Sequence, residues 1–389
     1  MNDLHSVLTD LFSQSSLSAL QANLGPAVVP ALVALGASLI AIPLAIRLSP
    51  RLGLVAYPSR ERDIHRRAVP KMGGLAMYAA FAIAALIFLP HSWSLYGLLV
   101  LCGISTLLYA IDDRFDIPAL VKLSVQIGVA VIAVKIFGFE IHFLHLPFLE
   151  IPNLGLLILP ISVFWVIGMQ NTVNFLDGVD GLAAGVVAIV ALVLIVSVFG
   201  RPAGLPATAQ HEVLILGACL AAVCAGFLLF NFNPARIFMG DSGAHFLGMA
   251  LALLSILSVA KIAVAAALFV PLLALAVPIG DTAWAIFRRR RQGLSIAHAD
   301  SKHLHHQLLE FGLSQRETCL LFYGATGILG ATGLALLGAH QRLLAAAVVV
   351  MLVIVSSLLG ERLRFLNRRV PVPGGRVIRL FLEGRSARS

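Results

Sequence analysis

Apolar runs of about 20 residues recur from one end of this chain to the other, and an α-helix of that length crosses a lipid bilayer. The loops between these runs are too short to form an independently folded domain. Of the 389 residues, 59% are hydrophobic and only 12% are charged. Because this composition leaves too little polar surface for a water-soluble fold, the chain is predicted to be an all-α, polytopic integral membrane protein.

Eleven segments are long and apolar enough to be predicted as membrane-spanning helices, and a count of ten stays open because one of them is short. The predicted spans cover residues 26–46, 72–90, 95–111, 119–138, 154–170, 181–199, 212–230, 244–258, 262–287, 318–338 and 343–360. We therefore expect three parts: an extracytoplasmic segment 1–25, one membrane-embedded domain over 26–360, and a basic tail 361–389.

Basic residues are distributed unequally between alternate loops, which predicts the orientation of the chain. One set of loops holds 24 of the 28 Lys and Arg residues, and it comprises 47–71, 112–122, 170–181, 231–243, 288–317 and 361–389. The positive-inside rule makes these loops cytoplasmic, with the N-terminus outside and the C-terminal tail inside. The same asymmetry accounts for the net charge of +9, so nucleic-acid binding is not predicted. Residues 1–24 contain no Lys or Arg, so a cleaved signal peptide is not expected either.

Aspartates cluster at three places on the predicted cytoplasmic face, each beside the end of a predicted span. The clusters are DDRFD at 112–116, NTVNFLDGVDG at 171–181 and MGDSG at 239–243. Adjacent aspartates such as Asp112 and Asp113 repel each other unless a divalent cation or a proton compensates. The simpler alternative for this pair is that it ends a helix in solvent.

The second cluster has a regular spacing. Asn171, Asn174, Asp177 and Asp180 recur every three residues, so on a helical backbone they would form one polar stripe. We interpret this stripe as a surface that binds a ligand, and the alternative is an ordinary polar turn between helices.

Basic and histidine residues on the same face suit phosphate groups. Arg67, Lys71 and Lys122 are candidate phosphate contacts, although the basic segment at 66–71 would also serve as a positive-inside anchor. A second candidate is the H-L-H-H segment, which contributes His303, His305 and His306. Zinc is the competing interpretation of these histidines, but no Cys lies nearby and the acids of the three clusters are all Asp, which favours a hard cation such as Mg2+ or Mn2+.

Carboxylates for a divalent cation, cations for phosphate oxygens and a polar Asn/Asp edge together predict phosphoryl transfer at the membrane surface. Six motifs in the sequence also resemble those of a known family. PKMGG at 70–74, DDRFD at 112–116, NxxNxxDGxDGL at 171–182, FMGDSG at 238–243, PIGDT at 278–282 and HLHH at 303–306 resemble the polyprenyl-phosphate N-acetylhexosamine-1-phosphate transferases, the MraY/WecA/TagO family.

The resemblance implies a Mg2+-dependent reaction in which undecaprenyl phosphate attacks the β-phosphate of a UDP-N-acetylhexosamine and releases UMP. It implies that Asp112 is the acid–base candidate, that Asp113 lies near the metal and that Asp241 is the direct metal ligand. It assigns the nucleotide-sugar and diphosphate contacts to Asn171, Asn174, Asp177, Asp180, His303, His305 and His306, with Asp281 in support.

Within this family, the H-x-H-H spelling and the count of eleven spans favour the enzymes that start O-antigen, enterobacterial antigen or teichoic acid. The peptidoglycan branch, the MraY-type phospho-MurNAc-pentapeptide transferases, is the alternative. UDP-GlcNAc is the default donor, and a bacterial inner membrane with a cytoplasmic active site is the implied location. A homodimer is left open. Ala244 and His245 depart from the family pattern after M-G-D-x-G, which removes an expected hydroxyl beside the metal ligand.

A transporter is the alternative from a different class, because it is also polytopic. Transporters keep ionisable residues at mid-bilayer depth, where each costs at least about 2.5–3.5 kcal/mol. The interiors of the predicted spans contain almost none, which favours the enzyme.

Overall fold

The computed structural model describes residues 14–57, 68–115, 117–146, 149–151, 153–199, 207–258 and 314–336. Over these residues the chain is mostly helical. The helices are α1 (Gln14–Leu52), α2 (Gly73–Phe88), α3 (Trp93–Phe115), α4 (Ala119–Lys135), α5 (Ile158–Leu176), α6 (Leu182–Phe199), α7 (Ala207–Asn231), α8 (Gly240–Leu257) and α9 (Gln315–Leu336). A short 3₁₀ turn, Gly155–Leu157, precedes α5.

Several of these helices are long and apolar enough to cross a membrane. Within the described ranges, five segments meet that criterion: Leu24–Leu52, Trp93–Phe115, Gly155–Leu176, Gln210–Asn231 and Gly240–Leu257. Two shorter apolar helices, Gly73–Phe88 and Leu182–Val198, accompany them. The molecule is therefore a helical membrane protein, as the apolar runs predicted.

Every predicted span that falls on described residues coincides with a helix. The predicted spans 262–287 and 343–360 lie outside the described residues, so the total of eleven stays a prediction. The all-α expectation needs one correction, because two small antiparallel ladders join the helices. Strand β1 (Val55–Ala56) pairs with β2 (Val69–Pro70), and β3 (Leu144–Leu146) pairs with β4 (Leu149–Ile151). Strands of two or three residues are too short to give a recognisable alternation in sequence.

Helix α8 lies at the centre of the bundle. It packs against α3 and α5, and also against α2, α6 and α7. Fifteen of its 18 residues are buried, whereas α1 leaves large apolar side chains such as Leu32 and Ile40 exposed. Helix α1 therefore presents a lipid-facing surface, and α8 is enclosed by protein.

Among the helices that extend beyond their predicted spans, three carry polar motifs into helical structure. Helix α3 continues to Phe115, α5 continues to Leu176, and α8 begins at Gly240 rather than at 244. Because backbone hydrogen bonding continues after the apolar run stops, Asp112, Asp113 and Asp241 lie on helix ends. Asp177 and Asp180 lie in the turn that follows α5.

The start of α8 is held against the start of α2 by backbone contacts. Gly73 N donates to Phe238 O at 3.1 Å, and Gly74 N donates to Met239 O at 3.0 Å. A Cβ atom on Gly74 would overlap the backbone of Gly243, so only glycine permits this approach. The P-K-M-G-G motif therefore attaches the entry of α2 to the M-G-D-S-G segment.

Candidate functional site

The ends of four helices meet at one end of the bundle and bring together the first and third aspartate clusters. Asp112 and Asp113 come from the last turn of α3, Lys122 from the first turn of α4, Asn174 from the last turn of α5 and Asp241 from the first turn of α8. We call these five residues the acid cluster. They are separated by as many as 129 positions in sequence, and the packing of α8 against α3 and α5 joins them.

Asp241 is the most accessible carboxylate of this group, with 41% of its side chain exposed. Its Oδ1 atom accepts a hydrogen bond from Asn174 Nδ2 at 3.2 Å. Its Oδ2 atom lies 3.8 Å from Lys122 Nζ. A carboxylate that is fixed on both sides and still open to solvent is suited to binding a cation or a phosphate-bound metal.

Asp113 has a different environment, because only 1% of its side chain is exposed. Its Oδ1 accepts from Asp241 N at 3.0 Å and its Oδ2 accepts from Ser242 N at 3.2 Å. The carboxylate thus caps the first turn of α8 from a neighbouring helix. Gly240 is required at this contact, since its φ is +70° and a Cβ atom there would collide with the Asp113 carboxylate.

Asp112 is buried and paired with a lysine. Its Oδ2 lies 2.5 Å from Lys122 Nζ, and its Oδ1 accepts from Ile117 N at 2.7 Å. Lys122 therefore lies between Asp112 and Asp241. A second lysine, Lys71, belongs to the P-K-M-G-G segment that is attached to α8. Its Nζ lies 3.5 Å from Asp113 Oδ1. Both lysines predicted as phosphate contacts are thus brought to the aspartates.

The predicted polar stripe divides into two environments. Asn174 belongs to the acid cluster, and Asp177 follows it at the end of α5. Burial, together with the carboxylates of Asp241 and Asp113, raises the pKa of Asp177 well above its ordinary value. Asn171 lies deeper and donates to Gln126 Oε1 at 3.1 Å. Asp180 turns toward the loop before α8, where its Oδ2 accepts from Asn233 Nδ2 at 3.1 Å and from Ala235 N at 3.0 Å.

The structure adds three polar residues that the motifs did not identify: Tyr109, Gln126 and His245. Each lies one helical turn from a residue of the acid cluster, Tyr109 before Asp112, Gln126 after Lys122 and His245 after Asp241. All three are buried. A spacing of three or four residues from a motif residue is the sequence signal that would have found them.

Five predicted site residues lie outside the described residues: Arg67, Asp281, His303, His305 and His306. Helix α9, which follows the histidine segment, is nevertheless described. Its Tyr323 hydroxyl donates to Gly181 O at 2.6 Å, and Cys319 Sγ lies 3.4 Å from Asp180 O. The first turns of α9 are thus attached to the D-G-V-D-G segment.

The donor set fits a hard divalent cation that draws part of its coordination from a substrate. Carboxylates outnumber ammonium groups here, and the pKa of Asp177 is raised by its burial first and by the nearby carboxylates second. Across the described ranges, no three His, Cys, Asp or Glu side chains converge closely enough to hold a metal by themselves. A cation at Asp241 would therefore be completed by phosphate oxygens and water, as is usual for Mg2+.

Membrane-spanning helices with an acid–lysine cluster at one end define a membrane protein whose site suits a polyanionic ligand. Comparison with known proteins identifies the family. Residues 94–259 match the family described as Glycosyl transferase family 4, and this range includes every member of the acid cluster.

Relatives extend this match over most of the chain. A probable undecaprenyl-phosphate N-acetylglucosaminyl 1-phosphate transferase of Bacillus subtilis is 37% identical over 303 residues, which is 76% of this chain and 81% of the relative. A decaprenyl-phosphate N-acetylglucosaminephosphotransferase of Mycolicibacterium smegmatis is 35% identical over 80% of this chain and 83% of its own length. A phospho-N-acetylmuramoyl-pentapeptide-transferase of Clostridioides difficile is 32% identical over 51% of this chain and 63% of its own length.

The chain belongs to Glycosyl transferase family 4 and, within it, to the polyprenyl-phosphate N-acetylhexosamine-1-phosphate transferases. The resemblance predicted from the six motifs is confirmed.

Proposed function

We propose that this protein transfers N-acetylglucosamine 1-phosphate from UDP-GlcNAc to undecaprenyl phosphate, giving undecaprenyl-diphospho-GlcNAc and UMP. In this reaction an oxygen of the lipid phosphate forms a bond to the β-phosphorus, and the bond between that phosphorus and the bridging oxygen of UMP breaks. The product is suited to starting a cell-surface polysaccharide. The names of the B. subtilis and M. smegmatis relatives support this donor and acceptor class.

The observation that carries the proposal is the acid cluster itself. Lys122 lies between the buried Asp112 and the exposed Asp241, and Lys71 pairs with Asp113 close by. Phosphoryl transfer needs groups that hold two phosphates in line and neutralise their charge, with a carboxylate as base. Carboxylates and ammonium groups at the ends of membrane-spanning helices meet that need for a lipid phosphate acceptor.

Each residue then has a defined task. Asp112 accepts the last proton of the lipid phosphate, and Lys122 and Lys71 attract phosphate oxygens, with Arg67 as a further candidate. Asn174, Asp177 and Asp180 border the nucleotide sugar, as do Asn171 and the histidines His303, His305 and His306. Asp281 supports this set.

Mg2+, or Mn2+, is the proposed cofactor, and Asp241 is its proposed ligand. When bound, such an ion would neutralise charge that develops on the phosphate oxygens. Asp113 was predicted to share this role. Its two backbone hydrogen bonds favour a role in holding the first turn of α8, and its contact with the metal stays a prediction.

We further propose eleven spans, with segment 1–25 outside, tail 361–389 in the cytoplasm and the acid cluster at the cytoplasmic face of a bacterial inner membrane. The 24 to 4 distribution of basic residues supports this orientation. Cysteine labelling from outside tests it: position 205 should react, and positions 115 and 300 should not. The reverse pattern would overturn the topology. The homodimer stays a prediction.

The reaction is tested with detergent-purified protein, undecaprenyl phosphate, Mg2+ and a panel of UDP-sugars. We expect UMP release with UDP-GlcNAc that depends on both the lipid and the metal. Transfer from UDP-MurNAc-pentapeptide alone would assign the chain to the alternative branch, whose C. difficile relative matches over a smaller share of both chains. No UMP release with any donor would refute the proposal.

A further inference from the structure

Asp241 is contacted at each of its four polar atoms. Asp113 binds its backbone N–H at 3.0 Å, and Asn174 binds its Oδ1 at 3.2 Å. Lys122 Nζ lies 3.8 Å from its Oδ2. The fourth atom, the backbone carbonyl oxygen, lies 2.9 Å from Nδ1 of His245. Three of these contacts come from residues already assigned to the site, and the fourth comes from a residue with no assigned role.

His245 is poorly suited to a purely structural place in the bundle. His245 is 3% exposed and lies one turn after Asp241 in α8, the helix that is enclosed by the bundle. An imidazole enclosed by packed helices costs more to bury than an apolar side chain of similar size unless its polar atoms are hydrogen-bonded. Because a carbonyl oxygen only accepts hydrogen bonds, Nδ1 must be the nitrogen that donates to Asp241.

The imidazole ring is also fixed in orientation. It is stacked on the ring of Tyr109, with centroids 3.4 Å apart and planes inclined by 11°. Tyr109 lies on α3, one turn before Asp112 and Asp113. The stack therefore links the helical turn that carries the two adjacent aspartates to the helical turn that carries Asp241.

We propose that His245 is a positioning residue for Asp241: stacked on Tyr109, it holds the Asp241 backbone so that the carboxylate keeps the geometry required for a divalent cation. This inference rests on the proposed metal role of Asp241. Groups that orient a metal ligand commonly change metal affinity or activity by about 10- to 100-fold when they are removed.

The test uses Mn2+ binding to the purified full-length protein, followed by electron paramagnetic resonance without any substrate. His245→Phe keeps an aromatic ring against Tyr109 and removes the donor, so it should raise the Mn2+ dissociation constant about tenfold. His245→Gln restores a donor and should bind more tightly than His245→Phe. Phe246→Leu is the matched control, since Phe246 packs against Tyr78 and Phe81 instead, and its Mn2+ binding should equal that of wild type.

Turnover gives a second measurement. His245→Phe should raise the Mg2+ concentration for half-maximal UMP release more than it lowers kcat at saturating Mg2+. A merely structural role would lower the amount of active enzyme and leave the Mg2+ dependence unchanged.

Several outcomes would overturn the proposal. The first is a Mn2+ dissociation constant of folded His245→Phe within twofold of the wild-type value. The second is a loss of Mn2+ binding in Phe246→Leu as large as that in His245→Phe. The third is Mn2+ binding to wild type that Asp241→Asn does not weaken. If His245→Phe fails to fold, Tyr109→Leu removes the stack and keeps the His245 donor, and unchanged Mn2+ binding in that variant refutes the role. Wild-type Mn2+ binding that depends on His245, together with no transfer from any UDP-sugar, would refute the proposed function and leave this inference standing.

Discussion

The two ends of the helix bundle both contain carboxylates, but their partners differ in kind. At one end, the aspartates of the acid cluster come from two helices, α3 and α8, and pair with Lys122 and the neighbouring Lys71 at 2.5–3.8 Å. At the opposite end, where α3 and α7 begin, the carboxylate of Glu212 accepts from the hydroxyls of Ser92 at 3.3 Å and Ser94 at 3.2 Å.

This difference distinguishes the candidate site from a structural contact. Neutral hydroxyl donors satisfy the Glu212 oxygens and join α7 to the start of α3, with no further carboxylate among the partners described there. The acid cluster instead holds more negative than positive groups, and a bound cation or a proton would offset this excess. Variants at the two ends should therefore differ in activity and in metal dependence.

The largest difference is expected between Asp241→Asn and Glu212→Gln. Loss of the proposed metal ligand removes several kcal/mol of charge stabilisation, so Asp241→Asn should lower kcat for UMP release by about 10³-fold or more. Glu212→Gln should keep kcat within about twofold, because its partners are far from the reacting atoms. Near wild-type activity of Asp241→Asn at saturating Mg2+ would remove Asp241 as a ligand.

The next largest effect separates the two adjacent aspartates within the acid cluster. A phosphate monoester has a second pKa of about 6, so a base is needed most near that pH. If Asp112 is the base, Asp112→Asn should lose about 10- to 100-fold in activity near pH 6 and recover part of it near pH 9. Asp113→Asn should raise the Mg2+ requirement without such recovery, since it releases the first turn of α8. Parallel pH profiles would refute the assignment of the base.

A smaller effect concerns stability and the raised pKa of Asp177. In the unfolded chain this carboxyl ionises at its ordinary pKa, whereas the folded protein retains the proton to higher pH. Stability therefore falls as pH rises from the unfolded pKa toward the folded pKa. In EDTA, Asp177→Asn should unfold at a higher temperature than wild type, and this gain in unfolding temperature should be larger at pH 7 than at pH 4. Mg2+ should reduce this gain, and a gain that is independent of pH would contradict the interpretation.

The smallest effect is expected at the opposite end. Ser94→Ala removes one neutral hydrogen bond to Glu212 and should lower the free energy of unfolding by about 0.5–1.5 kcal/mol. The activity and the Mg2+ dependence should be those of wild type. A changed Mg2+ requirement in Ser94→Ala would contradict the division between the two ends.

The helices and the acid cluster were largely predictable because they rest on local signals. Apolar runs predicted each described helix, and the D-D and M-G-D motifs identified Asp112, Asp113 and Asp241. The partners within the cluster depend on packing between distant segments, so the sequence did not predict that Asp113 caps α8 or that Lys122 lies between two carboxylates. His245 was noticed only as a departure from a motif, because its meaning comes from Tyr109, 136 positions earlier in the sequence.

The cap formed by Asp113 also limits the ways in which the proposed anionic substrate would be held. A helix N-terminus carries about half a positive charge and commonly binds phosphate through its free N–H groups. At α8 the Asp113 carboxylate already accepts hydrogen bonds from two of those N–H groups. The positive end of the helix macrodipole therefore stabilises a contact within the protein. Under the proposed function, phosphate oxygens would instead be met by side chains such as Lys71 and Lys122, which in this structure are paired with Asp113, Asp112 and Asp241.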